Sequence, residues 1–87
     1  MKIQNMIGKS NKSVANQFII EDNNKSYFQS YNSVIVLKEN GKVYLDENTW
    51  DYSKTTSKYR NQFLGCNTKE VKDRIAQGIY TLTNLNG

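Results

Sequence analysis

Ser33-Val34-Ile35-Val36-Leu37-Lys38-Glu39-Asn40-Gly41-Lys42-Val43-Tyr44-Leu45 is the stretch whose reading decides the fold. Two runs rich in β-branched, aliphatic and aromatic residues flank Asn40-Gly41, and both members of that pair tolerate the positive φ of a two-residue hairpin turn. A β-hairpin is therefore predicted here.

Upstream, Gln17-Phe18-Ile19-Ile20-Glu21 is another apolar run of strand composition, closed by Asp22-Asn23-Asn24-Lys25 and followed at once by Ser26-Tyr27-Phe28-Gln29-Ser30-Tyr31. This predicts a further hairpin with Asn23-Asn24 at its tip. Asn32 fits either a turn or one long bent strand from Tyr27 to Leu37 that carries a bulge. Closer to the start, Ile3, Met6 and Ile7 stand at helical spacing, but Gly8, Ser10, Asn11 and Ser13 interrupt any amphipathic continuation. Residues 1–13 are therefore expected to be a flexible basic arm, ahead of a single domain over residues 14–87.

Downstream of Asp46-Glu47-Asn48-Thr49 the period turns helical. Ser53 is placed to cap a helix with Tyr59 and Phe63 four apart on one face, and Gly65 follows as its stop. Asn67-Thr68-Lys69-Glu70 has the form of a capping box that opens a second helix, with Val71 and Ile75 four apart and Gly78 as the terminator. Ile79 to Leu85 returns to strand composition. The predicted fold is α+β, in the order β-β-β-β-α-α-β. It is a small antiparallel sheet of four to five strands with two short helices on one face.

The 87 residues allow one modest core. The single cysteine, Cys66, cannot form an internal disulfide, and no signal peptide or long apolar run is visible, so no membrane association and a cytoplasmic location are expected. Histidine is absent. That removes the usual general base at neutral pH, every Ser-His or Cys-His nucleophile pair, and the imidazole ligands of most zinc sites. The five glycines are dispersed and form no phosphate loop. Asp46, Glu47 and Asp51 lack the spacing of a calcium loop and read as a solvated turn. No catalytic residue, cofactor or metal is expected, and Cys66 reads as a small apolar filler.

Trp50-Asp51-Tyr52-Ser53-Lys54-Thr55-Thr56-Ser57-Lys58-Tyr59-Arg60-Asn61-Gln62-Phe63-Leu64 interleaves aromatics with cations. Trp50, Tyr59 and Phe63 suit the cover of a thin sheet, while Lys54, Lys58 and Arg60, with Tyr52 and Asn61, are the expected partner-binding residues. Two kinds of partner fit. Tyr, Trp and Arg are enriched at protein-interface hot spots, and aromatics with basic residues also suit single-stranded nucleic acid. The net charge of +4 is too small to decide between them. An edge strand such as Leu82 to Leu85 would also let the chain pair with a copy of itself, so a homodimer is a further expectation.

The runs Asn16-Gln17-Phe18-Ile19-Ile20, Tyr27-Phe28-Gln29-Ser30-Tyr31-Asn32-Ser33, Val43-Tyr44-Leu45-Asp46 and above all Trp50 to Leu64 resemble a family of uncharacterised small proteins from phages and mobile elements of low-GC Gram-positive bacteria. The resemblance spans Lys12 to Leu85. It implies a non-catalytic protein that blocks or adapts a host protein, for example an anti-CRISPR-like counter-defence inhibitor acting in the host cytoplasm. A small basic nucleic-acid-binding accessory protein is the alternative.

Overall fold

A computed structural model describes residues 1–8 and 10–87; Lys9, part of the expected basic arm, lies outside the described residues. Five strands follow one another: β1 (Lys2–Ile7), β2 (Ser13–Asp22), β3 (Lys25–Ser30), β4 (Ser33–Glu39) and β5 (Lys42–Asp46). Helices α1 (Lys54–Leu64) and α2 (Thr68–Ala76) come next, and β6 (Tyr80–Thr83) completes a six-stranded sheet of order β1-β2-β3-β4-β5-β6. The α+β class and the two helices are as the sequence indicates.

Asn40 and Gly41 take φ of 52° and 77°, as a turn of the primed type requires, and join β4 to β5. No atom lies near where a Cβ on Gly41 would project, so the cost of a side chain there is purely that of the left-handed backbone. Gly41→Ala is expected to lower stability by about 1 kcal/mol, measured as a shift in the midpoint of urea unfolding. Asn23 supplies the positive φ of the β2–β3 turn. The ambiguity around Asn32 resolves in both directions at once. Tyr31 adopts φ 54° beside Asn32 in a tight turn, and the β3–β4 register then shifts between Phe28 and Gln29. That bulge buries the consecutive side chains Ile35 and Val36 completely.

Two expectations are corrected. The first is the flexible arm, because β1 within it pairs antiparallel with β2 and buries Met6 at 2 % exposure. Helical spacing of Ile3, Met6 and Ile7 misled, since Met6 turns inward while Ile3 and Ile7 stay exposed. The folded unit consequently begins before residue 14. A register irregularity between Asn5 and Ile7 accommodates Asn16 at φ 65°, and the Asn5 side chain donates to the Val14 carbonyl at 2.9 Å. The second correction concerns the sheet, which has six strands and is mixed: β6 runs parallel to β5. Tight turns force antiparallel neighbours, but a connection through two helices imposes no such direction.

Alternation along the strands divides the sheet into two faces. Phe28, Val36 and Leu45 occupy consecutive strands in register and form, with Met6, Ile35, Tyr59, Val71 and Tyr80, the buried core beneath the helices. Across it, the Phe28 and Phe63 rings stack with centroids 6.0 Å apart, and Ser30 and Thr56 share a buried hydroxyl hydrogen bond of 2.9 Å. The opposite face carries Ile20, Tyr27, Leu37 and Tyr44, none of which belongs to that core. Among the described residues no helix is long and apolar enough to cross a membrane.

Candidate partner-binding surface

The β5–α1 connection and the start of α1 are fixed from within. Ser53 caps α1, its Oγ accepting from the Thr56 amide at 3.1 Å, and Asn67 forms the capping box of α2 with Glu70. Between these two starts lies Arg60, whose side chain is completely buried. Its Nη1 donates to the Trp50 carbonyl, to Asp51 Oδ1 at 3.3 Å and to Ser57 Oγ at 3.4 Å. Nη2 donates to Asn61 Oδ1 and to Thr68 Oγ1, both at 2.9 Å, and Nε reaches Asn61 Oδ1 at 3.2 Å. The guanidinium carbon also sits 5.5 Å from the centre of the Trp50 ring. One planar fork thus ties the loop before α1, α1 itself and the first residue of α2 together.

This withdraws Arg60 from the five expected partner-binding residues, while Asn61 stays half-exposed. Arg60 has no exposed surface, and Asn61 is occupied twice, accepting from Arg60 and donating from Nδ2 to Thr68 Oγ1 at 3.1 Å. The physical reason is that Thr56, Tyr59, Arg60 and Phe63 follow i, i+3, i+4, i+7 spacing and therefore share the inward face of α1. Tyr52, Lys54 and Lys58 are exposed. Tyr52 and Lys54 line an open depression of about 400 Å³ with Asp51, Ser53, Ser57 and Thr68. Lys58 stands nearby on α1 with its ammonium 5.3 Å from the centre of the Tyr59 ring. The aromatics expected inside are placed accordingly: Tyr59 is buried, and Trp50 and Phe63 are half-buried against the core.

Polar groups elsewhere serve the fold. The acidic turn is not simply solvated, because Asp46 is 1 % exposed and accepts from the Leu85 amide at 2.9 Å, the Thr49 hydroxyl at 2.7 Å and the Asn48 amide at 3.3 Å. Burial pushes its pKa up, but these bonds outweigh that and leave it below the ordinary carboxylate value. Lys38 Nζ donates to the Phe63 carbonyl at 2.8 Å, 4.3 Å from the centre of the Phe63 ring, and burial lowers its pKa against an opposing influence from Cys66. Cys66 is half-buried beside Tyr80, whose hydroxyl accepts from Arg74 at 2.9 Å; burial raises the pKa of that tyrosine. Among the described residues, no three His, Cys, Asp or Glu side chains converge as a metal site would need.

The chain belongs to DUF8033, a family of unknown function, whose model matches residues 1–78 and so takes in the N-terminal strand. No curated protein and no solved structure matches it.

Proposed function

We propose that this member of a family of unknown function is a non-catalytic binding domain that docks on a host protein and blocks or adapts it. A counter-defence inhibitor of the anti-CRISPR kind, acting in the host cytoplasm, is the form we favour. The partner contacts Tyr52, Lys54 and Lys58. One observation carries this reading: the buried Arg60 fork holds the loop that bears Tyr52 and the first turns of α1, so an exposed aromatic and two cations stand on a rigid frame. A surface ordered beforehand loses less conformational entropy on docking, and tyrosine amid polar groups is typical of interface hot spots. The missing histidine supports the non-catalytic part of the reading.

Nucleic acid ranks second on the same geometry. Tyr59 is buried and Phe63 stacks on Phe28, which leaves Tyr52 as the exposed ring of this segment for a base to stack on, and Arg60 is withdrawn from phosphate. The test compares the wild-type chain with Tyr52→Ala/Lys54→Glu/Lys58→Glu in pull-downs from host lysate, alongside gel shifts on single- and double-stranded DNA and RNA at two salt concentrations. A specific protein should be captured by the wild type and bound at least about tenfold more weakly by the triple variant, equivalent to about 1.4 kcal/mol. Equal capture by the variant overturns the site. Nucleic-acid binding that falls steeply with salt, with no protein partner, overturns the reading in favour of its rival.

A further inference from the structure

The helix-free face of the sheet bears two adjacent cross-strand rows of contrasting character. In one, Ile20, Tyr27, Leu37 and Tyr44 are mutual register partners across β2, β3, β4 and β5, extended by Ile3 on β1 and Thr81 on β6. In the other, two residues along each strand, Asp22, Lys25, Glu39 and Lys42 are register partners in the same way. Its signs alternate as −, +, −, +, and Lys25 Nζ lies 3.7 Å from a Glu39 carboxylate oxygen. Two acids and two lysines give this row no net charge. A polyanion therefore finds nothing to neutralise on it.

We infer that this face is the interface of a homodimer, with a second copy packed sheet to sheet about a twofold axis that runs parallel to the strands between β3 and β4. Such an axis keeps each row opposite its own copy and reverses the strand order. Asp22 then faces Lys42 of the other copy and Lys25 faces Glu39, so all four cross-interface pairs are attractive. In the apolar row, Ile20 meets Tyr44 and Tyr27 meets Leu37. A twofold axis lying along the apolar row instead sets Asp22 against Phe18 and Lys25 against Gln29, so neither charge is answered. Self-complementarity of sequence of signs is what an isologous interface requires, and aligned sheets are a common way for two such faces to pack.

The size is adequate for a modest affinity. Six strands about 4.8 Å apart make a face roughly 24 Å wide, and strands of about 17–20 Å then allow a pair of faces to bury on the order of 1,000 Å², the lower end of specific interfaces. The helices lie on the outer sides of this dimer. Tyr52, Lys54 and Lys58 of each copy remain free, so the inference goes beyond the proposed docking surface and does not depend on it.

Sedimentation equilibrium of the full chain from micromolar to millimolar concentration tests it. The expected mass rises from 10.1 kDa to twice that value with concentration. Leu37→Lys is expected to weaken association at least about tenfold, equivalent to about 1.4 kcal/mol, while circular dichroism reports an unchanged fold. The sharper arm uses Asp22→Lys and Lys42→Glu as separate proteins. Each alone places like charges across the twofold axis and should remain monomeric where the wild type dimerises. Mixed, they restore every opposite-sign pair and should form a one-to-one heterodimer. A chain that stays monomeric throughout the range overturns the inference. So does a dimer that is indifferent to Leu37→Lys, or a mixture of the two charge variants that stays monomeric.

Discussion

Replacing Arg60 with Ala is expected to lower the unfolding free energy by about 3–4 kcal/mol, because it removes a buried side chain and several charge-assisted hydrogen bonds together. For a domain whose whole stability is of order 5–15 kcal/mol this is a large share. The loss has identifiable parts. The Trp50 carbonyl is left without its Nη1 donor and Asn61 Oδ1 loses both of its donors, while Thr68 Oγ1 keeps only the bond from Asn61. Asp51, by contrast, is exposed enough to regain water, so the uncompensated charge that makes a broken buried ion pair so costly does not arise here. Arg60→Lys separates charge from shape: an ammonium keeps the charge but cannot reach Trp50 on one side and Thr68 on the other as a planar fork does, and a loss of about 2 kcal/mol is expected. Urea unfolding followed by circular dichroism measures both variants. Emission from Trp50, the single tryptophan, reports the local change, and a shift to longer wavelength is expected as its ring loses the guanidinium. A Lys variant within about 0.5 kcal/mol of wild type would show that fork geometry contributes nothing beyond ordinary surface variation.

The same residue shows where sequence reading succeeded and where it stopped. Turn chemistry was legible because it is local: Asn40-Gly41, Asn23, Ser53, Gly65 and the Asn67–Glu70 box each satisfy a constraint set by a few neighbouring residues. Strand pairing at the N-terminus was not, since Ile3, Met6 and Ile7 match a helical period and what recruits β1 is the free edge of β2. The parallel direction of β6 depends on a long crossover and leaves no local trace. For Arg60 the signal was present but was overruled by residue type. Its spacing from Thr56, Tyr59 and Phe63 placed it on the buried face, whereas cations are normally exposed. Arginine escapes that rule when its donors are all matched, and three of those partners, Trp50, Asp51 and Thr68, lie outside its own helix. The alternating row Asp22-Lys25-Glu39-Lys42 was hidden for the same reason. Those residues are scattered along the chain and become one line only once the register is known.

Asp46 carries the second large effect, and its pH dependence has a definite sign. It ends β5 and joins three segments there: its carboxylate accepts from Asn48 and Thr49 in the following loop and from Leu85 in the C-terminal tail, while its carbonyl accepts from Trp50 at 3.0 Å. The folded-state pKa lies below the ordinary value. The unfolded chain therefore binds more protons in acid, so the stabilisation is fully present above the unfolded pKa of about 3.9 and is lost as pH falls through the folded pKa. Asp46→Asn keeps the shape but replaces one acceptor with a donor that faces other donors, and is expected to cost about 2–3 kcal/mol at neutral pH. The gap between wild type and variant should then close as the pH is lowered from the unfolded pKa through the folded one, because protonation of the wild-type carboxyl produces the same mismatch. Thr49→Val, which deletes the 2.7 Å hydroxyl donor, should move the acid limb of the wild-type stability curve to higher pH by raising the Asp46 pKa. Urea midpoints across that pH range decide the matter: an Asn variant that runs parallel to wild type down to strong acid would remove Asp46 as a source of acid lability.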